Sequence, residues 1–548
     1  MMATLEAHPR RRHGHDRGRT LITDIELSVD DNPYLAEHPL DGSLMFPVVL
    51  AMEAMARVAA PLGMAECPPV FENVEFLSPI VIPLDGSETI RVVALNRTDR
   101  VDVAIGSRGT GFRKDHVRAV LRHTGTGPPA IAKRRPVAEG ARVPLDPATD
   151  LYGGVLSAGR RSQRILGYRR LAARSCVAEI SAPPSAPAWS ASLPAAPAAP
   201  AAPAAGTMLG DPGTRQAFLD AIQGCVPDAT LRPVGVERIY PATTFSVGDP
   251  AGDAGQVVLC AAERHRYGDT YTYDLDVLAA NGMLLESWRG LRLAAEQRSY
   301  GSGSWVPGLL GPYLERRLAS LVPGRLRCVV EHDSGDPDSR REQTTAAVRR
   351  MLGRPAMVWH REDGRPEVAE EGTFVAATHG AGIMLALVGA ARLGCDARAI
   401  NERSRDEWLA LLAGDQLGLA EMIGREVAEP LSAAATRVWS AADCLHQAGS
   451  PRATPIVLVR SGSDGWVTLG CGPARIATFL APLRDLPHPV MFTILLEGRG
   501  RESLLRVPAC RRLRGNRPCR DRLSRELRAL AGAVPGDVSL RARTERVR

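Results

Sequence analysis

Apolar positions along the first 300 residues follow the patterns of strands and of short helices. Ahead of residue 181, the stretches ETIRVVALNRTDRVDVAIGS and RKDHVRAVLRH are strand-like. Beyond residue 206, DTYTYDLDVLAANGMLLESWRGLRLAAE contains two apolar-rich runs joined by Asn281-Gly282. That dipeptide suits a turn with positive φ at both positions, so it predicts a β-hairpin.

Each half of this region also contains one helix candidate that precedes its strands. The two candidates are residues 47–61 and 212–224. A helix wrapped by a curved antiparallel sheet fits this order, and two such units in tandem fit residues 20–300. The sequence therefore predicts an α+β fold for this part of the chain.

Changes in composition mark the domain boundaries. The Ala/Pro run at 181–206 predicts a semi-rigid spacer, because proline fixes φ and removes a hydrogen-bond donor. The Gly/Ser-rich stretch at 299–308 predicts a further boundary. The predicted organisation comprises a basic N-terminal tail over 1–20, a first unit over 21–145, a second unit over 146–300 that contains the insertion 181–206, a connector over 301–325, an α+β domain over 326–498 and an Arg-rich disordered tail over 499–548.

Length and composition restrict the class of protein. The 548 residues predict three or four modules, at about 100–200 residues per domain. No run of apolar residues is long enough to span a membrane, and the N-terminus has no signal-type apolar core. The ten cysteines have no paired short spacings, which predicts buried thiols in a reducing cytoplasm.

Positive charge is concentrated at the C-terminus. The net charge is +7, and residues 499–548 hold fifteen arginines against five acidic residues. The rest of the chain is therefore slightly acidic. Because the basic tail has no interleaved aromatic residues and no reader motif, we predict no nucleic-acid binding. Lys114 and Lys133 are the only two lysines, so arginine supplies nearly all other cations.

The first candidate site is the pattern HxxxGxxxxP, formed by His38, Gly42 and Pro47 ahead of the apolar run VVLAMEAMARVAA. A histidine before a helix can hold its imidazole over an acyl chain, while glycine permits close approach of a substrate. Proline suits the helix start. Taken alone, His38 could equally be a polar residue that closes a turn.

The second candidate site pairs Asp396, after a short apolar strand, with Asp443 on a helix-like stretch. Two carboxylates from separate elements could share a hard cation such as Mg²⁺, which prefers few protein oxygens. The spacing alone also permits a surface aspartate after a strand and another on an amphipathic helix.

Several segments resemble the dehydratase domains of polyketide synthases, most closely those of iterative enediyne-type synthases. They are NPYLAEHPLDG, KDHVRAVLR, QRILGYRRLAARSCVAEI, MLGDPGTRQAFLDAIQGCVPDATLRPVGVERI, YTYDLDV and LLGPYLERRLA. The resemblance implies a double hot-dog fold, with the first hot dog at 21–145 and the second at 146–300. It also implies that water is eliminated from a β-hydroxyacyl chain on an acyl carrier protein. His38 would remove the α-proton, and an acid on the second helix would protonate the departing hydroxyl without a metal or redox cofactor.

The chain departs from that family on the second helix. Gln216 stands where the family has an aspartate, and Asp220 stands four residues later, where the family has glutamine or histidine. Residues i and i+4 share a helix face, so Asp220 is the predicted replacement for the missing acid. His38 stays the predicted base, as the resemblance implies. Ser157 and Ser162 replace aromatic residues that would wall the acyl tunnel.

Residues 326–498 resemble a 4′-phosphopantetheinyl transferase, which moves the phosphopantetheine arm of coenzyme A onto a carrier-protein serine. Enediyne-type synthases carry such a domain directly after the dehydratase. The resemblance implies Mg²⁺ held by Asp396 and Asp443, the latter replacing a glutamate. It implies His379 on the coenzyme's phosphates and Arg365 near its adenine nucleotide end.

This second resemblance also has departures. Arg398 replaces an acidic residue two positions after the first aspartate, and Ala442 and Gln447 replace two lysines. An arginine at position 398 would repel Mg²⁺, although it could offset phosphate charge.

Together the two resemblances predict the C-terminal part of an enediyne-type iterative polyketide synthase, acting enzymatically in the cytoplasm on a carrier from another chain. Dehydration and Mg²⁺-dependent carrier priming from coenzyme A would be its activities. The resemblance permits a homodimer, although the sequence does not specify the oligomeric state. The alternative is a catalytically degenerate protein that only binds the carrier or the synthase.

Overall fold

The computed structural model describes most of the chain between residues 19 and 497. The described ranges are 19–40, 43–63, 68–122, 141–152, 154–156, 159, 161–183, 207–242, 255–296, 298, 303–322, 324, 326–412, 414–451 and 454–497. Nearly all of the predicted N-terminal tail, the C-terminal tail and most of the Ala/Pro-rich insertion lie outside the described residues, as do Gly42 and Ser157.

The first part of the described chain contains two helices and many antiparallel strands. They are β1 Thr20–Ser28, β2 Pro39–Leu40, β3 Ser43–Met45, α1 Val48–Ala59, β4 Val70–Phe76, β5 Val81–Ile82, β6 Ser87–Asn96, β7 Val101–Ser107, β8 Asp115–Arg122, β9 Ile165–Ala172, β10 Ser175–Ser181, α2 Pro212–Gln223, β11 Thr230–Tyr240, β12 Gln256–Tyr267, β13 Thr270–Ala279 and β14 Leu284–Glu296. Both predicted helices are present within two residues of their predicted ends.

Eleven of these strands form one sheet in the order β1-β6-β7-β8-β4-β11-β14-β13-β12-β10-β9. The first five come from one half of the region and the other six from the second half. Helix α1 packs against β6 and β7, α2 packs against β10 and β11, and the two helices contact each other. Each half is therefore a helix wrapped by an antiparallel sheet, which confirms the predicted double hot-dog fold.

Strands β4 and β11 join the two halves into one sheet. Their register pairs Val236 with Val74 and Ile239 with Phe71. Gly235 lies at this junction, where an added Cβ would come within 2.7 Å of the carbonyl oxygen of Val74. Only glycine allows that approach without a shift of the backbone. The two halves therefore share main-chain hydrogen bonds and not only apolar contacts.

The predicted hairpin at Asn281-Gly282 connects β13 to β14. Gly282 has a φ of 80°, whereas the φ of Asn281 is not positive. The Asn281 side chain instead accepts a hydrogen bond from the backbone N–H of Met283 at 2.9 Å. The hairpin is confirmed, but its turn differs from the expected one with positive φ at both positions.

Residues 303–497 build a second α+β region. Its elements are α3 Pro307–Leu321, β15 Leu326–His332, α4 Pro337–Leu352, β16 Val358–His360, β17 Pro366–Val368, β18 Phe374–Gly380, β19 Ile383–Gly389, β20 Leu393–Ala399, α5 Arg405–Leu411, α6 Gln416–Glu426, α7 Leu431–Gln447, β21 Val457–Ser461, β22 Trp466–Cys471, β23 Ala474–Ala481 and β24 Val490–Glu497.

Two sheets organise this region. One has the order β15-β19-β18, and the other has the order β20-β24-β23-β22-β21. Helix α7 packs on β20 and β24, and α4 packs on β19. Asp396 lies in the middle of β20, paired with Thr493 of β24, so the expectation that it follows the end of a strand is wrong. The apolar residues that led to this expectation belong to β19, which ends before β20 begins.

The predicted connector contains α3, which packs against β15 and also contacts β9. In the part of the chain that the structure describes, no helix is long and apolar enough to cross a membrane. Seven cysteines in this part are free, and five of them are buried, namely Cys176, Cys225, Cys328, Cys395 and Cys444.

Candidate active site

His38 is fixed by its backbone just after a short 3-10 turn. Its N–H donates to the carbonyl of Leu35 at 3.0 Å, and its own carbonyl accepts from the N–H of Met45 at 2.8 Å. Pro47, nine residues later, is the N-cap of α1, with φ of −62°. Proline is pre-organised for a helix start, so the local sequence places His38 beside the beginning of the first central helix.

Helix α2 supplies the opposing side chains. Asp211 caps it by accepting from the N–H of Thr214 at 2.8 Å, and Pro212 occupies its first turn. Both features are strong helix starts. Gln216 and Asp220 then lie one turn apart on the same face. The capping sequence therefore determines where the acid of this helix stands.

A cavity of about 450 Å³ joins the two halves, and His38, Gln216 and Asp220 all line it. Its remaining wall combines the polar or charged Ser78, Thr230, Arg232 and Glu296 with a larger apolar share from Met45, Phe46, Pro47, Val48, Ala51, Phe76, Val155, Leu156, Leu219, Leu231 and Leu293. The structure thus brings together the two residues that the sequence predicted as base and acid. A cavity of this kind suits an acyl chain with a few polar groups at its reacting end.

Burial controls the protonation of Asp220. The residue is only 5% exposed. Its Oδ1 accepts from Gln216 Nε2 at 2.9 Å, while its Oδ2 makes no hydrogen bond to any described residue. Burial raises the pKa of Asp220 to about 7, against the opposing effect of the Gln216 hydrogen bond. A carboxyl group with this pKa retains its proton in a large fraction of molecules near neutral pH.

Burial acts on His38 in the opposite sense. It lowers the pKa of the imidazole to about 4, so His38 is neutral near pH 7. A neutral imidazole accepts a proton, and a protonated carboxyl group donates one. The cavity therefore holds a base and an acid in the states that each needs for general acid–base chemistry.

The structure describes only Ser162 of the two serines that replace aromatic residues. Ser162 is buried, and its carbonyl accepts from the hydroxyl of Tyr152 at 3.3 Å. Among the described residues that line the cavity, Ser162 does not occur. Ser162 therefore does not contribute to the described wall of the cavity. Ser157 lies outside the described residues, and its neighbour Leu156 contributes apolar surface to the wall.

Sequence reasoning missed a group of hydrogen-bonded polar side chains beside the cavity. His116 of β8 is buried, with Nδ1 2.9 Å from the hydroxyl of Ser78 and Nε2 3.0 Å from that of Ser107. Ser78 also lines the cavity. An inward-facing histidine within the strand segment DHVRAVLR was the available signal. Ser78 is 38 residues from His116 in the sequence, while Ser107 is nine residues away on the preceding strand β7. No local pattern indicates that either serine contacts the imidazole.

Two family models match the part of the chain that contains the two hot dogs. Residues 11–108 match the family described as "Polyketide synthase dehydratase domain", and residues 130–299 match "Polyketide synthase dehydratase N-terminal domain". This region is a polyketide synthase dehydratase-like domain. The first match includes His38 but ends before β8, and the second match includes Asp220 and every element from β9 to β14.

Solved structures similar to this chain include dehydratases. The dehydratase domain from the CurJ module of curacin polyketide synthase has 14% identity and a TM-score of 0.39, over 53% of this chain and 96% of that one. The GphF dehydratase 1 has 19% identity and a TM-score of 0.35, over 51% and 94% respectively. No curated protein matches the chain.

Outside the dehydratase-like domain, the structure brings Asp396 and Asp443 together through an arginine. Arg398 donates from Nε to Oδ2 of Asp396 and from Nη2 to Oδ2 of Asp443. Ser440 of α7 also donates to Oδ2 of Asp396, at 2.8 Å. The two predicted metal ligands therefore do converge, but a guanidinium lies between them.

These residues do not fit a Mg²⁺ ion. Magnesium needs free carboxylate oxygens at about 2.0–2.1 Å in near-octahedral geometry. One oxygen of each aspartate is instead hydrogen-bonded to Arg398. Within the described ranges, no group of three or more His, Cys, Asp or Glu side chains could hold a metal ion.

The two predicted coenzyme contacts, His379 and Arg365, lie in β18 and just before β17. In β18, His379 has Nδ1 3.0 Å from Oδ1 of Asp333 and Nε2 2.9 Å from the hydroxyl of Thr344. Burial lowers the pKa of His379, while Asp333 opposes that shift. Arg365 donates to the carbonyl of Gln447 at 2.9 Å, at the end of α7. Contact of either side chain with coenzyme A stays a prediction.

Proposed function

We propose that the dehydratase-like domain eliminates water from a β-hydroxyacyl group carried by an acyl carrier protein. The observation that carries this proposal is that His38 and Asp220 line one apolar cavity with pKa values shifted in opposite directions. The base is neutral and the acid retains its proton, as elimination requires.

The proposed reaction begins when the His38 imidazole takes the proton from the α-carbon of the acyl group. The electron pair of that C–H bond forms the Cα=Cβ double bond, and the Cβ–O bond breaks. Asp220 gives its proton to the departing hydroxyl, which leaves as water. The products are an α,β-unsaturated acyl group, an imidazolium at His38 and a carboxylate at Asp220. Return of one proton from imidazolium to carboxylate through solvent restores the starting state.

Gln216 has a positioning role in this proposal. An amide has no proton to donate at a useful pKa, so it does not replace the acid. Its Nε2 instead donates to Oδ1 of Asp220 and leaves the buried Oδ2 without a hydrogen bond to any described residue. The proposed acid therefore stands one helical turn from the family's position and lines the same cavity as His38.

The test is incubation of the chain with a β-hydroxyacyl carrier protein, followed by the mass of the acyl group. We expect a loss of 18 Da in the wild type and a fall in kcat/KM of about 10²–10⁴-fold for His38→Ala and for Asp220→Asn. Glu315→Gln is the matched control, because Glu315 is also buried with a pKa raised to about 7 but lies on α3, outside this cavity. Equal activity of wild type and Asp220→Asn would contradict the proposal.

Phosphopantetheinyl transfer by residues 326–498 is a separate hypothesis, which rests on the resemblance and on the convergence of Asp396 and Asp443. Coenzyme A would be the co-substrate, and the enediyne-type origin belongs to the same hypothesis. Incubation with an apo carrier protein and coenzyme A would add the mass of phosphopantetheine. That adduct should disappear in Asp396→Ala if this centre performs the transfer.

The alternative is a protein that binds the carrier or the synthase without catalysis. It predicts that a β-hydroxyacyl carrier is retained on a column of the immobilised chain while its mass stays unchanged. His38→Ala would then keep the binding. Under the enzymatic proposal, the same variant binds the carrier but accumulates unreacted substrate. The oligomeric state, for which the resemblance permits a homodimer, is measured by light scattering on the same sample.

A further inference from the structure

One buried charge cluster outside the dehydratase-like domain has a composition that no proposed activity explains. It lies where β20 faces α7 and consists of Asp396, Arg398 and Asp443. Asp396 is 7% exposed, and the Arg398 side chain is 20% exposed. A single guanidinium donates to both carboxylates through two different nitrogens. The two aspartates therefore share one countercharge within the chain.

The surrounding residues hold the guanidinium in this position. The ring of Trp439 lies against it, with its centroid 3.8 Å from Cζ of Arg398. This is within the range of a cation–π contact. The planar guanidinium can therefore hydrogen-bond at its edge while its face stacks on the indole.

Asp396 is also saturated on its remaining sides. Its Oδ1 accepts from the backbone N–H of Ala397 at 2.9 Å. Its Oδ2 accepts from Ser440, whose hydroxyl also lies 2.8 Å from that of Thr493. A metal ion at this carboxylate would have to displace hydrogen bonds that the fold already supplies.

The charge balance leads to the same conclusion. The two carboxylates carry −2 and Arg398 carries +1, so the cluster has a net charge of −1. A divalent cation would lie beside the fixed positive charge of a guanidinium that never loses its proton in proteins. Because both carboxylates are partly buried, that repulsion is weakly screened.

We propose that Arg398 is a built-in cation that takes the place of a divalent metal, so that this centre is metal-free in the working protein. The inference concerns residues 326–498 and does not depend on the dehydration proposed above. It conflicts with the phosphopantetheinyl-transfer hypothesis stated above wherever that transfer needs a metal at Asp396 and Asp443, so the Mn²⁺ titration described next also decides between the two.

The test is direct titration of the full chain with Mn²⁺, a paramagnetic substitute for Mg²⁺, followed by electron paramagnetic resonance. We expect no stoichiometric site in the wild type with a Kd below about 1 mM. Arg398→Glu removes the cation and adds a third carboxylate, and we expect at least about tenfold tighter binding of one Mn²⁺. That gain should vanish in the double variant Arg398→Glu/Asp396→Asn.

Two further variants isolate the cause. Arg403→Glu makes the same change of charge at a guanidinium that lies 5.6 Å from the Trp439 ring, and the structure gives it no ion pair with either aspartate. We expect it to gain no Mn²⁺ site. Arg398→Gln removes the cation without adding a ligand and should bind more weakly than Arg398→Glu but more tightly than wild type. A thermal melt of each variant shows whether the domain is folded.

Two results would overturn the proposal. One is a stoichiometric Mn²⁺ site in the wild type that is lost in Asp396→Asn. The other is the absence of any gain in both folded Arg398 variants, since the guanidinium would then not be what excludes the metal. Neither result bears on dehydration by the first domain, which is measured separately with the β-hydroxyacyl carrier.

Discussion

At the scale of single residues, burial acts in opposite directions on the two side chains that define the cavity. A histidine and a carboxyl group both lose hydration there, and each responds by favouring its uncharged form. For His38 that form is the base, and for Asp220 it is the acid. Loss of hydration therefore shifts the pKa of both His38 and Asp220 toward the protonation state that the reaction needs.

The pH dependence of kcat/KM should report these two groups in the free protein. We expect a plateau between about pH 4, below which His38 becomes protonated, and about pH 7, above which Asp220 loses its proton. Activity should fall tenfold per pH unit outside each limit. Rates of dehydration measured from pH 3 to 9 test this, and an increase above pH 7 would assign the acid to another group.

Replacement of Asp220 should also change stability in a pH-dependent way. Its folded-state pKa is raised above 3.8 to about 7, so the folded protein loses stability as pH rises between these values. Asp220→Asn removes that loss, and at pH 8 it should stabilise the protein by up to about 4 kcal/mol, at about 1.4 kcal/mol per pKa unit. At pH 4 the two proteins should be nearly equal. Urea unfolding at both pH values provides the measurement, and equal stability at pH 8 would contradict the buried acid.

At the scale of elements, α2 stands where it does because charged side chains fasten it to distant parts of the first domain. Glu53 on α1 accepts from the backbone N–H groups of Met208 and Leu209, at 2.7 and 2.9 Å, just ahead of α2. Arg215 on α2 pairs with the fully buried Glu286 of β14 at 2.6 Å. These contacts connect both helices and the sheet, so they set the separation of the two cavity walls.

Loss of the Glu53 carboxylate should therefore affect both stability and activity. Glu53→Ala leaves the buried Arg57 without this partner and removes the acceptor for two backbone N–H groups. We expect a loss of about 3–5 kcal/mol in the free energy of unfolding, as for other buried ion pairs. Glu26→Ala, on an exposed position of β1, is the control and should change stability by less than about 0.5 kcal/mol. Denaturant unfolding decides between a structural and a neutral role for Glu53.

At the scale of the whole molecule, α3 connects the dehydratase-like domain with the second α+β region. Its Arg316 pairs with Glu263 of β12 at 2.8 Å and also donates to the carbonyl of Ala173. On another side, Gly311 approaches the backbone of β15 so closely that a Cβ would lie 2.8 Å from the carbonyl oxygen of Cys328. The helix is thus packed against both regions through groups that tolerate little displacement.

Arg316→Ala should uncouple the two regions. The substitution removes a largely buried cation and leaves Glu263 with fewer partners, which should cost about 3 kcal/mol. We expect calorimetry to show two separated unfolding transitions in the variant where the wild type has overlapping ones. Arg341→Ala, at an exposed position of α4, serves as the control. An unchanged thermogram for Arg316→Ala would show that other contacts couple the regions.

Sequence reasoning succeeded where the signals are local. The start of α2 follows from Asp211 and Pro212, and the β13–β14 hairpin follows from the Asn281-Gly282 turn. It failed where a contact joins distant segments. The contact of His116 with Ser78 joins positions 38 residues apart, and the placement of Asp396 in mid-strand accompanies the pairing of β20 with the distant β24.

The sequence by itself determined the two central helices, the tandem arrangement of the two units, and the placement of Gln216 and Asp220 on one helical face. These features depend on helix starts, turns and apolar periodicity, which near neighbours in the chain decide. The tertiary structure alone decided that Asp220 shares a cavity with His38, and that Arg398 lies between two carboxylates. Both outcomes depend on long-range packing, which removes water from ionisable groups and decides which charges meet.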